Sequence, residues 1–169
     1  MQLKGKTAII TGGGSGFGAS MADLFAKNGA KVIVADIDLD SARKVAEGTG
    51  GYPVEVDVSS AKSVEQMKIE IFKEYEKVDI VVNNAGTTHL PAPMETIEED
   101  EFDRVFNVNC KSVYLTAKHF VPHFKENKSG VILNIASTAG VSPRPNLNWY
   151  NSSKGWMILA SKTMAVELA

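Results

Sequence analysis

The sequence has 169 residues, enough for one domain with a buried core, which we expect to span residues 1–169. A net charge of −2 without a basic patch argues against a nucleic-acid-binding protein. Cys110 is the one cysteine, so neither an internal disulfide nor a cysteine-based metal cluster can form. No signal-like leader and no apolar run of roughly 20 residues is present. We therefore expect a cytoplasmic protein without a membrane segment or a metal site.

Five short runs rich in β-branched residues predict strands, because strands buried on both faces are nearly continuous in hydrophobicity. These runs cover residues 7–11, 31–36, 52–57, 78–83 and 130–137. Apolar residues spaced three and four apart predict helices over residues 16–28, 60–76, 99–126 and 149–168. Ser59 or Ser60 is the predicted N-cap of the second helix, and Pro122 is predicted to break or bend the third.

The alternation of strands and helices predicts parallel strands joined by right-handed crossovers. We therefore expect a Rossmann-type, doubly wound parallel sheet in a three-layer α/β/α architecture, with the strand order 3-2-1-4-5. Such a sheet usually has about six strands, whereas this sequence supplies five runs. The fifth run is consequently predicted to form an exposed apolar edge near residues 132–135.

The segment TGGGSGFG, residues 11–18, lies between the first predicted strand and the first predicted helix. Glycines at this point let the backbone turn tightly and approach a phosphate, which the amino end of the helix attracts. The spacing of Gly14, Gly16 and Ala19 fits a dinucleotide-binding loop. The Gly-Lys-Ser/Thr sequence of NTP-hydrolysing loops is absent, which argues against ATP or GTP hydrolysis. A turn that only connects two packed elements is the alternative.

Asp36 ends the second predicted strand, where a carboxylate can accept both ribose hydroxyls of an adenosine. The same charge would repel the 2′-phosphate of NADP, and no lysine or arginine in the glycine loop offsets it, so Asp36 favours NAD. The alternative is a turn residue in DIDLD, in competition with Asp38 and Asp40. Asp57 ends the third strand and is a candidate for the adenine amino group, with capping of the next turn as its alternative.

Tyr150 and Lys154 lie four residues apart in a predicted helix, so their side chains share one face. An ammonium close to a phenol favours the phenolate and lowers the tyrosine pKa from its ordinary value of about 10. The pair is therefore a candidate for proton transfer at neutral pH. An ordinary pair on a helix surface is the alternative.

Several motifs together resemble the short-chain dehydrogenase/reductase family, in particular its 3-oxoacyl-carrier-protein reductases. TGGGSGFG is similar to the family's TGxxxGxG loop, and NNAG at 83–86 is similar to its motif after the fourth strand. Tyr150 and Lys154 form its YxxxK pattern, and Ser137 precedes Tyr150 by thirteen residues. Asn109 in FNVNC resembles the asparagine of the family's fourth helix. The resemblance covers the whole chain.

The resemblance implies an NAD-dependent oxidoreductase that moves a hydride between nicotinamide and a secondary alcohol or ketone, such as a 3-oxoacyl thioester, a sugar or a small alcohol. Tyr150 would be the general acid/base, and Lys154 would lower its pKa and hold the nicotinamide ribose. Ser137 would donate a hydrogen bond to the substrate carbonyl, and Asn109 would hold a water in a relay to Lys154. The residues implied in cofactor binding are Gly12, Ser15, Gly16, Phe17, Gly18, Asp36, Asp57, Val58, Asn84, Ala85, Gly86, Tyr150 and Lys154.

Each proposed catalytic residue also has a structural alternative. The alternative for Ser137 is a capping role at the end of the fifth strand. The alternative for Asn109 is hydrogen bonding to local backbone at a helix kink, and the alternative for Lys154 is a solvated position on the surface. For the whole chain, the alternatives are a nucleotide-binding fragment without turnover and a non-catalytic oligomerisation scaffold on the same fold.

Members of this family normally continue with further strands and a mobile substrate lid, which we expect to be absent here, so the sequence does not identify the substrate. They commonly form dimers or tetramers by pairing two long helices. We therefore expect a homotetramer or dimer through helices at about 99–126 and 149–168. Arg144, between two prolines, is a candidate for contact with an anionic substrate tail.

Overall fold

The computed structural model describes residues 2–169 and contains a sheet of five parallel strands. The order β3-β2-β1-β4-β5 confirms the predicted doubly wound topology. At the centre, Ile9 of β1 pairs with Ile33 of β2 on one side and Val81 of β4 on the other. The strands are β1 (Thr7–Thr11), β2 (Lys31–Asp36), β3 (Tyr52–Glu55), β4 (Ile80–Asn83) and β5 (Val131–Asn134).

Three strands are shorter than the hydrophobic runs that predicted them. β3 ends before Val56, β4 begins after Val78, and β5 pairs with β4 over four residues only. Val56 and Val78 are nevertheless buried, because the loops that leave the sheet remain packed against its core. The buried apolar residues therefore extend beyond the hydrogen-bonded residues of β3 and β4.

Six α-helices connect and flank the strands within the described residues. Ser60 caps α3 by accepting a hydrogen bond from the Ser63 N–H, as predicted. The apolar patterns did not predict α2, whose buried residues are Ala42 and Ala46. The helices are α1 (Gly16–Lys27), α2 (Leu39–Thr49), α3 (Ala61–Glu74), α4 (Glu99–Phe106), α5 (Ser112–Asn127) and α6 (Asn148–Leu168).

The region predicted as one helix over residues 99–126 is divided by a π-helical turn at Asn107–Lys111. A π-turn inserts one extra residue per turn and often occurs at functional sites. The predicted break at Pro122 is wrong, because α5 continues through this proline to Asn127. Phe120 and Phe124 are buried on either side of Pro122, and their packing outweighs the one hydrogen bond that proline cannot donate.

The hydrophobic core occupies both faces of the sheet, because successive strand residues point to opposite sides. Ile9 packs in a cluster with buried residues of α3 and α5, such as Met67 and Phe120. Ile10 packs on the opposite face in a cluster that includes Ala22 of α1 and Ala46 of α2. The molecule therefore has the predicted α/β/α layers, with β1 in the middle.

The β5 edge is less covered than the rest of the sheet. Val131 is 55% exposed and Leu133 is 42% exposed, while Ile132, which points to the other face, packs against the α3–α5 side. This placement agrees with the predicted apolar edge. Within residues 2–169, no helix combines the length and apolar character needed to cross a bilayer.

Candidate functional site

The carboxyl ends of β1, β2, β3 and β4 border a cleft of about 380 Å³. All the predicted cofactor residues line this cleft except Gly18, Tyr150 and Lys154. Sequence reasoning missed Ile37, Val56 and Val108, although Ile37 and Val56 directly adjoin the strand-end carboxylates and this adjacency could have identified them. The lining residues are Gly12, Ser15, Gly16, Phe17, Asp36, Ile37, Val56, Asp57, Val58, Asn84, Ala85, Gly86 and Val108.

The glycine loop forms one wall of the cleft, and two of its glycines are sterically required. Gly12 has φ of +62°, a conformation that L side chains rarely adopt. A Cβ on Gly18 would lie 1.9 Å from the Gly12 carbonyl oxygen, so only glycine lets the start of α1 approach the loop this closely. The loop therefore brings backbone N–H groups and a helix amino end to the cleft, which suits an anionic phosphate.

Asp36 is held by backbone groups at the far end of the glycine loop. Its Oδ2 accepts from the Gly14 N–H at 2.8 Å, and its Oδ1 accepts from the Asp38 N–H at 3.1 Å. Asp36 takes part in no ion pair within residues 2–169. The neighbouring aspartates have other tasks, because Asp38 caps α2 and Asp40 pairs with Arg43 on the surface. Among the three aspartates, Asp36 is the one that lines the cleft.

Asp57 has the capping role that was considered as its alternative. Its Oδ1 accepts from the Ser59 N–H at 2.9 Å and from the Ser59 hydroxyl at 2.6 Å, so it caps the turn that follows β3. Asp57 also lines the cleft. Its Oδ2 makes no hydrogen bond within the described chain and is available to a ligand.

Asn84 fastens the glycine loop to the end of β4. Its Nδ2 donates to the carbonyl oxygens of Thr11 and Gly12 at 2.9 and 3.1 Å. The Thr11 hydroxyl in return accepts from the N–H groups of Asn84 and Ala85, both at 3.1 Å. Thr11 was not among the predicted site residues, although it begins the TGGGSGFG segment. The NNAG segment thus shapes the loop as well as lining the cleft.

Lys154 lies one helical turn after the half-buried Tyr150 on α6. Its side chain is buried, and Nζ donates to the Ile135 carbonyl oxygen at 2.8 Å. Burial lowers the pKa of Lys154, an effect that the nearby Cys110 thiol partly opposes. Burial likewise raises the pKa of Cys110 to about 11. The alternative of a solvated Lys154 is therefore wrong.

Ser137 follows β5 and begins the short 3₁₀ turn Thr138–Gly140. Its hydroxyl accepts from the Ala139 N–H at 3.1 Å, which is the capping role considered as an alternative. Accepting this bond leaves the hydroxyl proton for donation to another group. The two roles of Ser137 are thus chemically compatible.

Asn109 lies in the π-turn and is fully buried. Its Oδ1 accepts from the Thr87 N–H at 2.8 Å, and its Nδ2 donates to the Thr87 carbonyl at 2.9 Å and to Ser153 Oγ at 2.9 Å. Both amide hydrogens are therefore in use, and the side chain satisfies backbone groups as the alternative supposed. A Cβ on Gly86 would lie 3.4 Å from both Asn109 Oδ1 and Lys154 Nζ. Gly86, which lines the cleft, is therefore a close neighbour of the buried lysine.

A second cleft, of about 510 Å³, lies beside the amino end of α6. Arg144 lines it, and the Arg144 carbonyl accepts from Asn151 Nδ2 at 2.8 Å. The Arg144 guanidinium has no hydrogen-bond or ion-pair partner within residues 2–169. Glu95 lines the same cleft, so the cleft carries one charge of each sign. In the described part of the chain, no group of three or more His, Cys, Asp or Glu residues could hold a metal ion.

A family model described as short chain dehydrogenase matches residues 6–169. The 4-formylbenzenesulfonate dehydrogenase of Comamonas testosteroni is 43% identical over the whole chain, which covers 69% of that protein. The 3-oxoacyl-(acyl-carrier-protein) reductase of Thermotoga maritima is 37% identical over the whole chain, which covers 70% of that protein.

Solved structures agree with the sequence matches. A 3-ketoacyl-(acyl-carrier-protein) reductase from Brucella melitensis, complexed with NADH, has a TM-score of 0.95 and 47% identity, covering 98% of this chain and 71% of its own. An NAD⁺-bound xylitol dehydrogenase has a TM-score of 0.94 and 28% identity, covering 99% of this chain and 66% of its own. With the glycine loop and the Tyr150–Lys154 helix in place, these matches show that the chain belongs to the short-chain dehydrogenase family of oxidoreductases.

Proposed function

We propose that this protein is an NAD-dependent oxidoreductase that interconverts a secondary alcohol and the corresponding ketone. The observation that carries this proposal is the continuity of the site. The cleft begins at Asp36 and ends at Gly86, where a Cβ would lie 3.4 Å from the buried Lys154 ammonium. A dinucleotide placed along this cleft would extend from the carboxylate at one end to the neighbourhood of the buried Lys154 at the other.

The residues of the cleft fit NAD. The glycine loop and the amino end of α1 suit the pyrophosphate, and Asp36 suits the adenosine ribose. No lysine or arginine lines this cleft to neutralise a 2′-phosphate, so NADP would bring a phosphate close to an uncompensated carboxylate. When bound, the nicotinamide supplies the hydride chemistry that protein side chains lack.

The protein's own residues move the proton and stabilise charge. Tyr150 donates its hydroxyl proton to the substrate oxygen during carbonyl reduction and accepts a proton during alcohol oxidation. The Lys154 ammonium, one helical turn after Tyr150, holds the nicotinamide ribose. Ser137 donates its remaining hydroxyl proton to the same substrate oxygen and stabilises negative charge there. Asn109 holds the relay water through its remaining acceptor groups, because both its amide hydrogens are already bonded.

The charge of Arg144 suggests a class of substrate. We propose that its unpaired guanidinium attracts an anionic substituent on the carbonyl compound, such as a carboxylate or sulfonate. The relative from Comamonas testosteroni, 43% identical, is named as acting on a formylbenzenesulfonate, which carries such a group. A 3-oxoacyl thioester is the second candidate substrate, in keeping with the printed names of the reductase relatives.

We also propose a homotetramer or dimer assembled through α5 and α6. Tyr114 of α5 and Trp156 and Leu159 of α6 are exposed apolar residues that line one shallow groove between these helices. Pairing this groove with its copy would bury them. Light scattering of the purified protein tests the assembly, and a monomer at micromolar concentration would count against it.

The proposed chemistry is tested by the variant Tyr150→Phe, with Tyr75→Phe as the matched control at the half-buried C-cap of α3. We expect Tyr150→Phe to lower kcat at least about a hundredfold, which lies within the usual range for a general acid/base, and to change the NADH dissociation constant less than twofold. Tyr75→Phe should retain wild-type kcat. Unchanged turnover in Tyr150→Phe would refute the acid/base role, whereas NADH binding without any turnover in the wild type would favour a nucleotide-binding protein.

A further inference from the structure

Ser153 lies between Tyr150 and Lys154 and is completely buried, whereas the adjacent Ser152 is exposed. Ser153 Oγ donates to the Tyr150 carbonyl oxygen at 2.7 Å and accepts from Asn109 Nδ2 at 2.9 Å. The hydroxyl thus uses both its donor and an acceptor site in the protein interior. A buried polar group with all its partners in place gives a rigid local arrangement.

The hydrogen bonds of Ser153 belong to a longer chain. Asn109 continues it to the backbone of Thr87, bonding both the N–H at 2.8 Å and the carbonyl at 2.9 Å. Three separate segments are thereby joined: the loop after β4, the π-turn before α5, and the first turns of α6. Lys154, the next residue in the helix, donates from Nζ to the Ile135 carbonyl just after β5, at 2.8 Å. Two neighbouring residues therefore fasten α6 to different parts of the fold.

Two anchors in different directions oppose rotation of α6 about its axis. A side-chain tip about 6 Å from a helix axis moves by about 1 Å when the helix rotates by about 10°. An error of about 1 Å in the position of a reacting group can lower the rate about a hundredfold. The hydroxyl of Tyr150 projects from the first turn of this helix, where the Ser153 bond ends.

We propose that Ser153 is a positioning residue, which fixes the rotation of α6 by accepting from Asn109 and so sets the place of the Tyr150 hydroxyl on the same helix. The role rests on the proposed function, because it concerns the reaction that Tyr150 would assist. Ser153 acts through Asn109 rather than by contact with the substrate.

The test compares three variants of the full-length protein. Ser153→Ala removes both hydrogen bonds at similar volume, and Ser153→Thr keeps a hydroxyl that can bond the carbonyl one turn earlier. Ser152→Ala is the matched control on the exposed side of the same turn. The measurements are the NADH dissociation constant, kcat per NADH-binding site for a carbonyl that the wild type reduces, and the isotope effect with NADH deuterated at C4.

For Ser153→Ala we expect kcat to fall about 10- to 100-fold, the NADH dissociation constant to change less than twofold, and the isotope effect to rise. A purely structural role would lower the number of NADH-binding sites and leave kcat per site and the isotope effect unchanged. Ser153→Thr should recover most of kcat, and Ser152→Ala should match the wild type. Wild-type kcat per site in Ser153→Ala, or equal losses in the Ala and Thr variants, would overturn the proposal.

Amide hydrogen exchange provides a readout that needs no turnover. We expect residues 150–154 to exchange at least about tenfold faster in Ser153→Ala than in Ser152→Ala, because the helix loses one anchor. Equal exchange rates would overturn the proposal even if the wild type reduced no carbonyl, an outcome that would separately refute the proposed function. Should Ser153→Ala fail to fold, Ser153→Cys offers a weaker hydrogen-bonding group, and wild-type kcat and exchange in that variant would overturn the proposal.

Discussion

Charged residues are paired differently at the two ends of the parallel strands, here called the amino edge and the carboxyl edge of the sheet. At the amino edge, Asp79 is 6% exposed, accepts from the Thr7 N–H at 3.0 Å, and pairs with Lys6 at 3.1 Å and Lys77 at 3.0 Å. Its charge is therefore balanced inside the chain, and this edge needs no ligand to complete it.

At the carboxyl edge, charges are held by backbone groups and lack counter-ions. Asp36 accepts from two backbone N–H groups, and Lys154 donates to a backbone carbonyl, yet neither takes part in an ion pair within residues 2–169. An oriented charge without a partner costs stability and is available to a bound molecule. The comparison indicates where this fold binds ligands. The charge of Asp79 at the amino edge is paired with lysines, whereas the charges of Asp36 and Lys154 at the carboxyl edge are free to contact a bound molecule.

The largest effect is expected from Gly18→Ala, which would drive a Cβ into the Gly12 carbonyl at the carboxyl edge. We expect a loss of about 3 kcal/mol of unfolding free energy, as in severe overpacking, together with at least tenfold weaker NADH binding. Urea unfolding and NADH fluorescence titration measure the two effects. Gly48→Ala is the control, because a Cβ there meets open space within α2 and should stabilise the protein by about 0.5–1 kcal/mol. Wild-type NADH affinity in Gly18→Ala would contradict the close approach.

The next effect tests the amino edge with Asp79→Asn. Burial by itself raises the pKa of Asp79, but the Thr7 N–H, Lys77 and Lys6 outweigh it and hold the pKa below its ordinary value of 3.8. The carboxylate therefore contributes stability that is present above pH 3.8 and is lost as the pH falls through the lowered pKa. We expect Asp79→Asn to cost about 2 kcal/mol at pH 7, with NADH affinity unchanged.

The pH dependence provides the check on Asp79. Unfolding free energies of wild type and Asp79→Asn, measured from pH 7 to pH 2, should converge at the acidic end, because the wild-type carboxyl is then protonated too. A constant difference over this range would show that the charge of Asp79 is not the source of its stabilising effect.

Asp36→Ala should produce a smaller change at the carboxyl edge. We expect NADH to bind about tenfold more weakly, about 1.4 kcal/mol, and NADPH to lose less, because the variant also removes repulsion of the 2′-phosphate. Asp40→Ala, four residues further along the chain and paired with Arg43 on the surface, is the control and should leave both affinities unchanged. Equal losses for NADH and NADPH would rule out the ribose assignment.

The smallest effect concerns Arg144 in the second cleft. We expect Arg144→Ala to raise KM about fivefold, near 1 kcal/mol, for a ketone that carries a carboxylate or sulfonate, and to leave KM for a neutral ketone unchanged. Arg43→Ala is the control at an arginine on α2 that is already paired with Asp40. Unchanged KM for both ketones would remove Arg144 from substrate recognition.

Sequence patterns predicted the order of strands and most helices because these depend on local hydrophobic periodicity and on the crossover rule. They missed α2, whose buried side is made of alanines, and they missed the π-turn that divides the region 99–126. Periodicity is insensitive to the π-turn, since one inserted residue barely changes the apolar pattern. The break predicted at Pro122 was wrong because packing of the neighbouring phenylalanines is a tertiary effect.

The candidate site, like the fold, was predicted only in part from the sequence. The sequence by itself determined which residues stand at strand ends, because the glycine loop, Asp36 and the NNAG segment each follow a hydrophobic run directly. Only the tertiary structure decided which polar groups are already bonded within the chain. Asn109 uses its amide hydrogens on Thr87 and Ser153, and Lys154 is buried. The physical reason is that chain neighbours set local conformation, whereas hydrogen-bond partners and burial depend on residues brought together from distant positions.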